Sequence, residues 1–254
     1  VESFFVISPD YRHEDSLLKL RPTPLAAPGS AAAVSRGAAG TIVTPPGSGT
    51  RRLIGSRYHS RNTDNHTLGP GVGMLYDRLS HQSGLDGTVT TPQTTNLPTA
   101  ALTRYTSGDG VVIMVSIYLG VGATPTTITA SYTNQAGTSG RTTEAGVLGG
   151  PSFAGPGATI LGLQAGDTGV RSVESVTLAG STGSAGNFGV TLMKPLILLT
   201  PVDGTSMPPR RITEDFMLAR GVAPVLQADA ALYMLTRSNA NSSGACFSLD
   251  TVYE

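Results

Sequence analysis

Nine consecutive residues, Val111-Val112-Ile113-Met114-Val115-Ser116-Ile117-Tyr118-Leu119, form a nearly unbroken apolar run with four β-branched side chains among the first five. Such side chains are stiff at χ1 and suit a pleated surface, so the run reads as a strand buried on both faces at the centre of a core. Thr126 to Thr133 then alternates, with Ile128, Ala130 and Tyr132 on one face and Thr127, Thr129, Ser131 and Thr133 on the other. That is the two-residue period of a half-buried strand, and Asn134-Gln135-Ala136-Gly137 is its turn. Val170 to Ala179 and Phe188 to Leu199 flank the turn Gly180-Ser181-Thr182-Gly183 and are expected to pair antiparallel across a long loop. Ala231 to Thr236 and Ala245 to Val252 are expected to close the chain as a hairpin. Two short helices are expected beside these strands. One covers Met74 to Gln82, with Leu75 and Leu79 one turn apart and Gly84 as stop; the other covers Glu214 to Arg220, with Thr213 as N-cap. The predicted class is all-β, a β-sandwich of jelly-roll type.

Charge is scarce on this framework. Charged residues make up 13% of the 254, about half the usual quarter, and the formal net charge is +0. Between Val111 and Thr200 the charged residues are Arg141, Glu144, Asp167, Arg171, Glu174 and Lys194, and Thr, Ser, Gly and Ala fill the other non-core positions. A strand face of hydroxyls loses little on being covered, because it can exchange water for neighbouring backbone groups. A homo-oligomer is therefore expected, a homotrimer being the form anticipated. Cys246, the single cysteine, precludes an intramolecular disulfide framework or a multi-cysteine zinc site, and its alternating apolar surroundings make it a buried thiol. No apolar run is long enough for a membrane helix, and Val1-Glu2-Ser3-Phe4 lacks the basic start of a signal peptide, so a soluble chain with no membrane partner is expected.

The neutral total conceals a dipole. From Ser16 to Thr63 there is no acidic residue, while Lys19, Arg21, Arg36, Arg51, Arg52, Arg57 and Arg61 contribute about +7; the remainder holds 10 basic against 17 acidic residues. Residues 1–70 are also rich in Pro and Gly, which restricts regular structure there to short strands such as Thr41-Ile42-Val43-Thr44. They read as an extended basic N-terminal arm on a single β-sandwich body, 71–254. Arg51, Arg52, Arg57 and Arg61 are the candidate interaction residues, holding an acidic neighbour. Nucleic acid is disfavoured as a partner, since Tyr58 is the only aromatic residue from Ser16 to Thr63 and the body would repel phosphate.

The sequence carries no recognisable catalytic motif. The only lysines, Lys19 and Lys194, follow Leu18 and Met193, so no Gly-Lys phosphate cradle exists. No Gly-x-Ser-x-Gly elbow occurs. His59, Asp64 and His66 could in principle hold a divalent ion, yet Arg57 and Arg61 beside them oppose a cation, and they read as loop residues. No catalytic, cofactor-binding or metal-ligating residue is assigned, and no cofactor or enzymatic activity is expected.

Several segments carry a family resemblance: Tyr76-Asp77-Arg78-Leu79-Ser80-His81, Gly84-Leu85-Asp86-Gly87-Thr88-Val89, Leu102-Thr103-Arg104-Tyr105-Thr106-Ser107-Gly108 and Ser131-Tyr132-Thr133-Asn134-Gln135-Ala136-Gly137-Thr138-Ser139-Gly140-Arg141. It continues in Leu163-Gln164-Ala165-Gly166-Asp167-Thr168-Gly169-Val170-Arg171-Ser172-Val173 and Asn187-Phe188-Gly189-Val190-Thr191-Leu192. Over roughly residues 71–200 the chain resembles virion structural proteins of tailed bacteriophages. The resemblance implies a capsid decoration, or cement, protein that is made in the host cytoplasm, sits on the capsid surface of the virion and contacts the major capsid protein. The alternative it leaves open is a tail or fibre module that binds a receptor or glycan. The absence of Trp and the 6% aromatic content weaken the glycan case, because sugar platforms are aromatic.

Overall fold

The apolar run does lie at the middle of a core. A computed structural model describes residues 2–7, 31–33, 51–62, 72–150, 154–155, 157–199, 211–215, 225–237 and 242–253. In it Val112–Leu119 is a strand, and Ile113, Val115 and Ile117 are at most 3% exposed. In chain order the strands are β1 (Glu2–Ile7), β2 (Ala31–Ala33), β3 (Arg51–Asn62), β4 (Val72–Leu85), β5 (Gln93–Thr94), β6 (Val112–Leu119), β7 (Thr126–Asn134) and β8 (Arg141–Thr142). They continue with β9 (Gly146–Leu148), β10 (Gly157–Leu161), β11 (Val170–Leu178), β12 (Asn187–Leu199), β13 (Arg211–Asp215), β14 (Val225–Leu226), β15 (Leu232–Arg237) and β16 (Ser242–Tyr253). The protein is all-β.

The chain forms two units, one of Val1–Leu20, Ile42–Tyr76 and Leu196–Glu254, the other of Arg21–Thr41 and Asp77–Pro195. In the second unit one sheet has the strand order β10-β6-β12-β4 with β2 on β4, and another has β5-β11-β7-β8 with β9 on β7. Leu79, Ile113, Val115, Ile117, Phe188, Val190 and Leu192 of the first sheet meet Ile128, Ala130, Tyr132, Val173, Val176 and Leu178 of the second in one apolar layer. The alternation read along Thr126 to Thr133 is the reason the second sheet has a core face: Ile128, Ala130 and Tyr132 are fully buried, while the hydroxyl residues between them stay partly exposed. In the first unit β16 lies between β1 and β3, and β13 and β14 both pair with β3.

Several expectations are corrected. Residues 74–82 lie within strand β4, not in a helix. Leu75 and Leu79 are four apart, a spacing that puts two residues on one side of a helix and equally on one face of a strand. The second expected helix begins inside β13, since Arg211–Asp215 pairs antiparallel with His59 to Gly55 of β3; Phe216 to Arg220 lie outside the described residues. β11 and β12 do not pair with each other: β11 joins β5 and β7, whereas β12 joins β6. The loop between them crosses from one sheet to the other, tied down by Thr182, whose N–H donates to Gly87 O at 2.9 Å and whose Oγ1 accepts from Gly122 N at 3.0 Å. The closing hairpin is absent too, because β16 takes its partners from β1 and β3 and β15 is not its neighbour. Finally, the division at residue 70 is not the one the fold makes. Pro and Gly crowd the sequence up to Gly49, but Arg51 to Asn62 holds no Pro, and it forms β3, a twelve-residue strand at the heart of a sheet. The expected strand Thr41 to Thr44 lies outside the described residues.

Candidate functional site

Arg51, Arg52, Arg57 and Arg61 are all brought onto β3. In register Arg51 faces Tyr253 and Leu226, Arg52 faces Val252 and Val225, Arg57 faces Ser248 and Thr213, and Arg61 faces Gly244, so the ladder sets no carboxylate directly across from any of the four. His59 is on the same strand, opposite Cys246 of β16 in the ladder, while Asp64 and His66 lie outside the described residues.

Among the described residues, a dense constellation of polar side chains instead joins three loops of the second unit, those around 103–110, 134–141 and 163–169. Asn134 starts the middle one. Its Oδ1 accepts from Ala136 N at 3.1 Å and Thr138 N at 2.9 Å, and Gly137 takes the left-handed φ of 86° that a side chain would resist. Asp167 reaches this turn from the third loop: Oδ1 accepts from Asn134 Nδ2 at 2.8 Å, and Oδ2 accepts from Tyr132 Oη at 2.5 Å and Arg141 Nε at 2.9 Å. Arg141, then the Tyr132 hydroxyl, hold the Asp167 carboxyl down to about 2. Burial and the same carboxylate push the Tyr132 hydroxyl up.

Gln135 ties the loops further. Its side-chain Oε1 accepts from Thr168 N and Gly169 N at 3.1 and 3.2 Å, and its backbone O accepts from Arg171 Nε and Nη2 at 3.0 and 2.7 Å. Arg171 Nε also donates to Ser107 O at 3.2 Å, Thr168 Oγ1 donates to Asp109 Oδ1 at 2.7 Å, and Gly110 N donates to Thr168 O at 2.9 Å. Lys194 Nζ donates to Asp109 O at 2.7 Å and lies 5.6 Å from the centre of the Tyr105 ring. Next to Tyr105, Arg104 grips Asp77 with Nε to Oδ2 at 2.9 Å and Nη2 to Oδ1 at 2.8 Å, a bidentate pair shielded from water. Tyr105 is pushed up to about 12 by burial and then by Asp77, against the opposing effect of Arg104.

A second polar group is buried in the sheet containing β4, β6 and β12. His81 Nδ1 is 2.8 Å from Thr191 Oγ1, and the Tyr118 hydroxyl is 3.0 Å from His81 Nε2 and 3.4 Å from Arg78 Nη2. Burial first and the Arg78 charge second lower His81 to about 2, so the imidazole is neutral. Arg78 and His81 are both inaccessible to solvent.

These pairings join residues 26 to 110 positions apart, and spacing in the sequence carries no trace of them. The one legible signal was the Asn134 to Gly137 turn. Comparison with protein-family models, with curated proteins and with solved structures finds no match to this chain.

Proposed function

We propose that this chain is a structural, non-catalytic component of a tailed-bacteriophage virion, a decoration protein that binds the outside of the capsid and stabilises it, as a homotrimer. One observation carries the reading. The segments that resemble virion proteins, scattered over roughly residues 71–200, supply groups that brace one another inside the second unit: the side chains of Asp77 and Arg104 and those of Asn134 and Arg141 with Asp167, and Gln135 with the Thr168 backbone and, through its own backbone, with Arg171. Many of their polar groups hold loops in place, which supports a framework role. The passage of the chain from β4 to β5, β5 to β6, β6 to β7, β9 to β10, β10 to β11 and β11 to β12, each step changing sheet, supports a jelly-roll type of sandwich for this body.

Imaging of purified particles of the phage that encodes the chain, with gold-labelled antibody raised against it, tests the proposal. Label over the head surface is the expected outcome. Label confined to the tail would favour the fibre or tail-module alternative, and unlabelled particles would overturn the virion assignment.

A further inference from the structure

The cations of the loop cluster are not equivalent. Arg104 and Arg141 are committed to Asp77 and Asp167. Arg171 and Lys194 are bonded to backbone carbonyls only, and among the described residues neither pairs with a carboxylate. Both clasp the same short loop: Arg171 through Ser107 O, Lys194 through Asp109 O two residues on. Arg171 is exposed, and among the described residues its bonds run through Nε and Nη2, not Nη1.

We propose that this loop end is a docking surface for a partner protein that presents carboxylates, with Arg171 and Lys194 as its anchors. The choice of partner rests on the virion reading, whereas the surface itself does not. A flexible surface cation loses most of its Coulomb gain to the ordering of its own side chain. Here that ordering has already occurred, since two guanidinium nitrogens are fixed on carbonyls and the ammonium is fixed between Asp109 O and the Tyr105 ring. The neighbouring acids compete little. Asp167 is enclosed by three donors, and Asp109 has one oxygen engaged by Thr168, so the exposed Arg171 and Asp109 and the half-buried Lys194 sum to one positive charge. Two anchors match a few carboxylates on a folded partner, whereas a nucleic acid wants a long cationic track, and outside Ser16 to Thr63 the chain holds 10 basic against 17 acidic residues.

NMR titration of the full chain with a capped triglutamate peptide tests this without recourse to particles. Amide shifts of Ser107 to Gly110, Gln135 to Gly137 and Thr168 to Arg171 are expected to move together and to vanish at high salt. Lys194→Gln combined with Arg171→Gln should weaken binding about three- to tenfold. Arg171→Lys, which keeps the charge, should retain most of the affinity and so separates loss of charge from loosening of the loops. Shifts scattered over other surfaces, or unchanged affinity in the double variant, would overturn the proposal. So would stronger movement of the same amides by a thymidylate oligomer of equal charge, which would assign the surface to nucleic acid.

Discussion

A histidine fixed near pKa 2 makes a strong statement about acid. His81 ordinarily titrates at 6.5, and burial together with Arg78 brings it to about 2 in the folded chain. Unfolding returns the ring to water, so between those values the unfolded chain binds the extra proton, and stability rises with pH across the window. The contribution of His81 is complete above about pH 6.5 and declines as pH falls toward 2, by about 1.4 kcal/mol per pH unit. The imidazole signals of His81 should therefore stay at their neutral positions from about pH 8 to pH 4 by NMR; a midpoint near 6.5 would show that solvent reaches the ring. Asp167 acts in the same direction over a narrower range. Its carboxyl is lowered from 3.8 to about 2, by Arg141 first and Tyr132 second, so its contribution is present above about pH 3.8 and is lost as pH falls through 2. Asp167→Asn should lower the melting temperature at pH 7, and the difference between variant and parent should shrink between pH 4 and pH 2. An equal difference at both ends would mean that the carboxylate charge plays no part.

At the level of elements, legibility followed one-sided burial. β7 was readable because its two faces differ, Ile128, Ala130 and Tyr132 inward and hydroxyls outward. β6 was readable because nearly every position is apolar. β4 was not: Tyr76, Asp77, Arg78, Leu79, Ser80, His81, Gln82 and Ser83 are all buried, so polar and apolar residues share both faces and no period of two survives in the sequence. The sheet change between β11 and β12 was hidden for a different reason, since a Gly-rich loop is compatible with a hairpin or a crossover, and tertiary bonds such as those of Thr182, Gly180 and Ala185 select the latter. That crossover has a sharp steric requirement. A Cβ on Gly122 would lie 1.7 Å from Thr182 O and 2.7 Å from Ser184 N, backbone atoms that cannot step aside. Gly122→Ala is expected to cost at or above the top of the about 1–3 kcal/mol seen for overpacking, read as a drop in denaturant midpoint with unchanged slope. A loss below about 0.5 kcal/mol would show that the loop yields.

For the whole molecule, the class was legible and the partition was not. Low charge and β-branched runs point to all-β from composition alone, but the basic stretch read as an arm contains β3, because a strand needs only the dozen Pro-free residues from Arg51 to Asn62 and a partner such as β16, which lies far away in sequence. The proposed trimer belongs to this scale. Away from Glu174, whose carboxylate Thr133 and Ser172 hold, the outward face of the second sheet sets Ser131 opposite Ser175 and Thr129 opposite Thr177, an uncharged hydroxyl stretch. Covering such a surface with another copy removes little favourable hydration, while an ammonium placed there would be buried unpaired at a cost of several kcal/mol. Light scattering should return three times 26.0 kDa for the parent chain. Thr129→Lys, whose side chain can reach water freely in a lone copy, should return 26.0 kDa with an unchanged circular dichroism spectrum. A monomeric parent at micromolar concentration would remove the trimer, and a trimeric Thr129→Lys variant would move the contact to a different face.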